Sequence, residues 1–144
     1  MKVMMMGPVG SGKTSLSQRF LGEELKYSKT QAVEIVGDAI DTPGEYIENK
    51  KLLHALVTTA TDADAVLLIQ DPTADDHFYS PSQGSMFACP VIGVVTKIDL
   101  ASREKIDWAA SILEYAGAEK IFEVSNETEA GIPPLMEYLR SMEE

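Results

Sequence analysis

Apolar runs alternate with amphipathic stretches along this chain, and the alternation sets the elements. Lys2 to Met6 reads as a first strand. Ala65 to Gln70 and Val91 to Thr96 are continuous apolar runs, the pattern of central parallel strands buried on both faces. Lys120 to Val124 reads as the last strand. Between them the period changes to that of helices. Lys13 to Leu21 places Leu16, Phe20 and Leu21 on one face, and Asn49 to Thr61 does the same with Leu52, Leu53, Leu56 and Val57. Ser102 is a fitting N-cap for a helix to Ala116, with Ile106, Ala109, Ile112 and Leu113 inward and Gly117 as its stop. Pro133 opens a final helix with Leu135 and Leu139 inward. Ala32 to Val36 and Ala39 to Ile40 flank the turn pair Gly37-Asp38 and predict a compact hairpin. Pro72 to Phe87 is rich in Asp, Ser, Pro and Gly, and predicts irregular structure with room for one short helix. No repeat or linker divides the chain, so residues 1–144 are expected to form a single α/β domain with a mostly parallel sheet.

Charge narrows the range of partners. Lys and Arg number 12 against 23 Asp and Glu, a net charge of −11. Such a surface repels nucleic acid and anionic lipid, so neither is expected as a partner. Any phosphate ligand must be held by local geometry working against the global field. Cys89 stands alone, so no intramolecular disulfide forms, which suits a reducing cytoplasm. It reads as a small buried or edge thiol. No apolar run approaches the length needed to cross a bilayer. Met1 to Met6 is too short for a secretory signal and reads as a buried strand.

The strongest chemical signal is Gly7-Pro8-Val9-Gly10-Ser11-Gly12-Lys13-Thr14, which matches G-x-x-x-x-G-K-[ST] between a predicted strand and a predicted helix. Glycines let successive N–H groups converge on phosphate oxygens. The helix that follows points its positive end at the same anion. Lys13 adds a full charge against the β- and γ-phosphates, and the Thr14 hydroxyl can ligate magnesium. Gly7, Val9, Gly10, Ser11, Gly12, Lys13, Thr14 and Ser15 are the expected nucleotide-binding residues of this loop.

Asp41-Thr42-Pro43-Gly44 is a D-x-x-G motif after a short apolar strand. Asp41 there can support magnesium through water, and the Gly44 N–H can touch the γ-phosphate. Thr30 is the favoured loop hydroxyl to complete the magnesium shell, with Ser28 and Thr42 as competitors. Thr96-Lys97-Ile98-Asp99 ends the second long apolar run and matches [NT]-K-x-D. A carboxylate at Asp99 accepts from both N1–H and the exocyclic amine of guanine. Adenine offers an acceptor and a C–H there instead. The Lys97 stem can lie over the purine face. Val124-Ser125-Asn126 ends the last strand, and a backbone N–H of that loop can reach the guanine O6. Ser125 and Asn126 complete the expected base pocket.

With these pieces in order, the sequence resembles the Ras-like, TRAFAC-type P-loop GTPases over its whole length. More narrowly, it is similar to the EutP/PduV family of small P-loop proteins. The closest likenesses are M-x-x-G-P-V-G-S-G-K-T-S-L, S-K-T-Q-A-V-E and D-T-P-G-E-Y-I-E-N, all in the first third. The resemblance implies a three-layer α/β/α P-loop NTPase (Ras-like) domain with a mostly parallel sheet. It implies a link to bacterial microcompartments that break down ethanolamine or propanediol, with a shell or cargo protein as partner. Three departures from the Ras pattern stand out. The interval from Thr30 to Asp41 is short, so the hairpin between the second and third strands of that fold is stunted. Glu45 follows Gly44 where Ras-type enzymes carry a Gln that orients the attacking water. No Arg falls in the Thr30 loop. Arg19 belongs to the first predicted helix, and Lys26 and Lys29 lack the guanidinium fork.

The expectation is therefore a domain that binds GTP or GDP with Mg²⁺ and hydrolyses GTP slowly, with Lys13, Gly44 and Glu45 at the reacting phosphate. A small-molecule kinase that hands the γ-phosphate to a carboxylate or hydroxyl would use the same cradle. A non-catalytic docking module that binds nucleotide without turnover is the third reading. His54, His77, Asp75 and Asp76 read as surface residues rather than metal ligands, and Trp108 as core or core edge.

Overall fold

The computed structural model describes residues 3–7, 16, 64–74, 77, 79, 81, 85 and 87–142. Four strands, β1 (Val3–Met6), β2 (Ala65–Gln70), β3 (Val91–Val95) and β4 (Lys120–Glu123), form one sheet. Among the described residues every pairing is parallel and the order is β1-β2-β3-β4. Two helices follow the later strands, α1 (Arg103–Tyr115) and α2 (Ile132–Ser141). The helices and hairpin expected within 13–21, 32–40 and 49–61 lie outside the described residues. Leu16 is the exception, and it is helical and fully buried.

The apolar runs explain the sheet. β2 and β3 are buried at every position, as their sequences rich in Val, Ile and Leu require of strands covered on both faces. Each such side chain contributes about 1.5–3 kcal/mol when fully buried. α1 packs across β3 and onto β2 and β4. Gly93 permits the close approach. A Cβ there would stand 2.6 Å from Ile121 Cδ1 and 3.0 Å from Leu113 Cβ. Ser102 caps α1 as expected, its hydroxyl accepting the Lys105 N–H. α2 begins at Ile132, one residue before Pro133, and buries Ile132, Leu135, Met136 and Leu139. The residues described between Pro72 and Phe87 form neither a strand nor an α-helix.

Because the strands are parallel, their carboxyl ends gather along one edge of the sheet. Gly7, Asp71, Thr96-Lys97 and Val124-Ser125 leave the four strands there. That edge is where open α/β sheets bind ligands.

Candidate functional site

The carboxyl ends of β3 and β4 build the best-defined part of this edge. Thr96 is fully buried, and its N–H donates to the Gln70 carbonyl at 3.1 Å. Lys97 then takes a left-handed conformation, φ 53 and ψ 36. The chain turns off the strand into a short 3₁₀ turn, Ile98–Leu100, closed by the Leu100 N–H on the Lys97 carbonyl at 2.9 Å. The Ile98 N–H reaches the Val124 carbonyl at 3.3 Å and ties this turn to the exit of β4.

That tie brings Asp99 against Ser125. The Ser125 side chain is fully buried, and its hydroxyl donates to Asp99 Oδ1 at 2.7 Å. The Ser125 hydroxyl oxygen itself accepts the Thr128 N–H at 3.1 Å, so the hydroxyl proton is directed to the carboxylate. Asp99 itself is exposed, and among the described residues Ser125 is its hydrogen-bond partner. Among the described residues one carboxylate oxygen is held and the other has no hydrogen-bond partner.

The loop behind Ser125 is folded tightly enough to keep this geometry. The Ser125 N–H donates to the Ala130 carbonyl at 2.9 Å. Gly131 sits at φ 75, and a Cβ there would stand 1.9 Å from the Glu123 carbonyl oxygen, so only glycine fits. On the outer side, Arg103 forks onto both carboxylate oxygens of Glu123 at 2.7 and 2.6 Å and reaches Asp107 at 2.7 Å. This pins the start of α1 to the end of β4.

A second carboxylate, Asp71, ends β2. Its Oδ2 accepts from Lys97 Nζ at 2.9 Å, with the side chains 13% and 35% exposed respectively. Its Oδ1 accepts from the Thr73 hydroxyl at 2.6 Å and the Thr73 N–H at 2.8 Å. Burial alone would raise the Asp71 carboxyl. The Thr73 and Lys97 hydrogen bonds outweigh it and hold the group below its ordinary value. Lys97, expected over a purine face, is thus anchored at its ammonium by the end of β2.

Gly7 is buried and follows β1 directly. The other expected phosphate, metal and catalytic residues lie outside the described residues. They are Val9, Gly10, Ser11, Gly12, Lys13, Thr14, Ser15, Thr30, Asp41, Gly44 and Glu45. Asn126 follows Ser125 and is half-buried. Sequence reasoning passed over Asp71, Thr73 and Tyr79. A polar residue directly after a fully buried strand was the available signal for Asp71. His77 lies edge-on to Tyr115, with ring centroids 6.0 Å apart, and its Nδ1 accepts the Tyr79 N–H. Among the described residues no group of three or more His, Cys, Asp or Glu is placed to hold a metal ion. No helix among them is long and apolar enough to cross a membrane.

Residues 1–141 match the PduV-EutP family model, described as "Ethanolamine utilisation - propanediol utilisation". The propanediol utilization protein PduV of Citrobacter freundii is 42% identical over 142 residues, covering 99% of this chain and 95% of that protein. A probable acetate kinase EutP of Escherichia coli is 32% identical over 146 residues, covering 98% and 90%. Among solved structures, the translation elongation factor SelB of Methanococcus maripaludis, in its apo form, aligns with a TM-score of 0.65 at 20% identity, covering 99% of this chain and 33% of that one. A complex of SsGBP with GDP aligns with a TM-score of 0.65 at 18% identity, covering 98% and 49%. These structural likenesses show the fold, the α/β fold of P-loop proteins. The family match over nearly the full length, with relatives above 30% identity, makes this chain a member of the PduV-EutP family of ethanolamine and propanediol utilisation proteins.

Proposed function

We propose that the chain is a guanine-nucleotide-binding P-loop protein serving ethanolamine or propanediol utilisation, and that it hydrolyses GTP slowly. The observation that carries the reading is the Ser125–Asp99 hydrogen bond beside the anchored Lys97. A carboxylate with one oxygen held by a buried hydroxyl and the rest open to solvent suits a ligand offering adjacent N–H donors. Guanine presents N1–H and the exocyclic amine side by side, and adenine does not. At the far end of the same sheet edge, Gly7 begins the glycine-rich phosphate sequence. Two strand spacings of about 4.8 Å separate β1 from β3, so base and phosphates lie along one edge.

In this reading the backbone amides of Gly7 and of Val9 to Ser15 and the Lys13 ammonium hold the phosphates. Thr14 and Thr30 ligate magnesium, with Asp41 acting through water. Bound magnesium supplies charge neutralisation at the β- and γ-phosphates. The Gly44 N–H touches the γ-phosphate. Glu45 places a carboxylate where a neutral amide orients water in Ras-type enzymes, and its repulsion of the γ-phosphate keeps hydrolysis slow. Residues 1–144 act as one domain in the cytoplasm, docking on a shell or cargo protein of a microcompartment.

A second reading is favoured by the name probable acetate kinase, which three relatives of this chain carry. In that reaction a carboxylate oxygen of the acceptor attacks the γ-phosphorus. The bond to the β,γ-bridging oxygen breaks, giving an acyl phosphate and a nucleoside diphosphate. Phosphate release from GTP with magnesium, measured with and without acetate, separates the two. Slow release unchanged by acetate is expected. Formation of acetyl phosphate, or a rate that rises with acetate, favours the kinase.

A further inference from the structure

The Ser125 hydroxyl has one proton and can rotate, so its neighbours decide where that proton goes. The Thr128 N–H donates to Ser125 Oγ at 3.1 Å, and the Ser125 hydroxyl donates to Asp99 Oδ1 at 2.7 Å. The Thr128 N–H faces Ser125 only while the backbone after it keeps its turn. That turn is not an easy one. Glu129 sits at φ 67, a left-handed conformation that residues with a Cβ seldom adopt. Thr128, Glu129 and Ala130 are all exposed, so hydrogen bonds rather than burial hold the turn. One of them comes from a side chain. Thr128 Oγ1 accepts the Ala130 N–H at 3.3 Å and so bridges the left-handed residue. The Ala130 carbonyl returns to the strand end, accepting the Ser125 N–H at 2.9 Å. Three hydrogen bonds therefore run in series. The Ala130 N–H reaches Thr128 Oγ1, the Thr128 N–H reaches Ser125 Oγ, and the Ser125 hydroxyl reaches Asp99.

We propose that Thr128 is a positioning residue for base recognition: its hydroxyl holds the turn that aims the Thr128 N–H at Ser125, and this sends the Ser125 proton to Asp99. The role in binding rests on the nucleotide reading given above. Thr128 acts through Ser125 and not on the ligand. Removing its hydroxyl can therefore cost no more than removing that of Ser125, and the two losses do not add.

Thr128→Val removes the hydroxyl and keeps the branched shape, while Thr128→Ser keeps the hydroxyl. GDP and ADP are titrated with magnesium into the wild-type chain, these two variants, Ser125→Ala and the double variant Ser125→Ala/Thr128→Val. Thr128→Val is expected to weaken GDP binding by about threefold, a small loss because the bond removed is exposed. ADP, whose adenine sets an acceptor against Asp99, does not lose affinity. Thr128→Ser stays near the wild type. On top of Ser125→Ala, Thr128→Val adds nothing, because the group through which it acts is gone. Unchanged GDP affinity in Thr128→Val, an equal loss for ADP, the same loss in Thr128→Ser, or a full further loss in the double variant overturns the proposal. If the wild-type chain binds no GDP, the nucleotide reading fails and the recognition role fails with it. The aiming of the turn is then read without ligand, from amide hydrogen exchange followed by NMR. The residue-128 amide is expected to exchange about threefold faster in Thr128→Val than in the wild type or Thr128→Ser. Equal rates overturn that part as well.

Discussion

Two carboxylates stand at the carboxyl edge of the same sheet, and their surroundings differ in kind. Asp71 is largely buried, and Lys97 and Thr73 occupy both of its oxygens. Asp99 is exposed, with one oxygen on the Ser125 hydroxyl. The first spends its charge inside the protein, fixing the residue that ends β3. The second keeps hydrogen-bonding capacity for something outside. A carboxylate that is oriented but not satisfied is suited to recognition, while a satisfied one is suited to support. The comparison also assigns different costs to removing each.

The largest effect is expected at Asp99. If Asp99 reads guanine as proposed, Asp99→Ala removes two charge-assisted hydrogen bonds to the base and should weaken GDP binding by about a hundredfold or more, with little change in unfolding. In the same titration Ser125→Ala, which frees the carboxylate without removing it, should cost about tenfold. Equal losses in the two variants would break the distinction between the group that binds and the group that aims it.

The smallest effect is expected at Asp71 and on stability rather than recognition. Both partners of its ion pair are partly exposed, so Asp71→Asn should destabilise the fold by about 1 kcal/mol at neutral pH. The sign with pH follows from the lowered carboxyl. The fold favours the ionised form, so this contribution is fully present above the ordinary carboxyl value of 3.8 and is lost as pH falls through the lowered one. Denaturation midpoints of wild type and Asp71→Asn should therefore converge in acid. A gap that persists below that range would show that Asp71 acts by shape and not by charge.

How much of this was legible in the sequence differs by the range of the contact. Ala65 to Gln70 was readable residue by residue, because an apolar run between Asp64 and Asp71 leaves no other strand. α1 was readable from Ser102 and Gly117, since caps are local chemistry. The place of Asp99 at the end of β3 followed from its motif. Its aiming by Ser125 joins residues 26 apart in sequence, as does the Lys97–Asp71 pair, and no local period reveals either. The left-handed turn at Lys97 was also hidden, because lysine carries no preference for that conformation. Tyr79 was missed because its stretch has no periodicity. Its hydroxyl reaches the Ile69 and Met6 carbonyls, contacts that show only once β1 and β2 are assembled.

The central claim is that the open side of Asp99 reads guanine. Titration of the wild-type chain with GDP and with ADP, at equal magnesium, tests it most directly. GDP is expected to bind more tightly by about a hundredfold or more, because adenine sets an acceptor against the carboxylate. Equal affinity for the two would contradict the account.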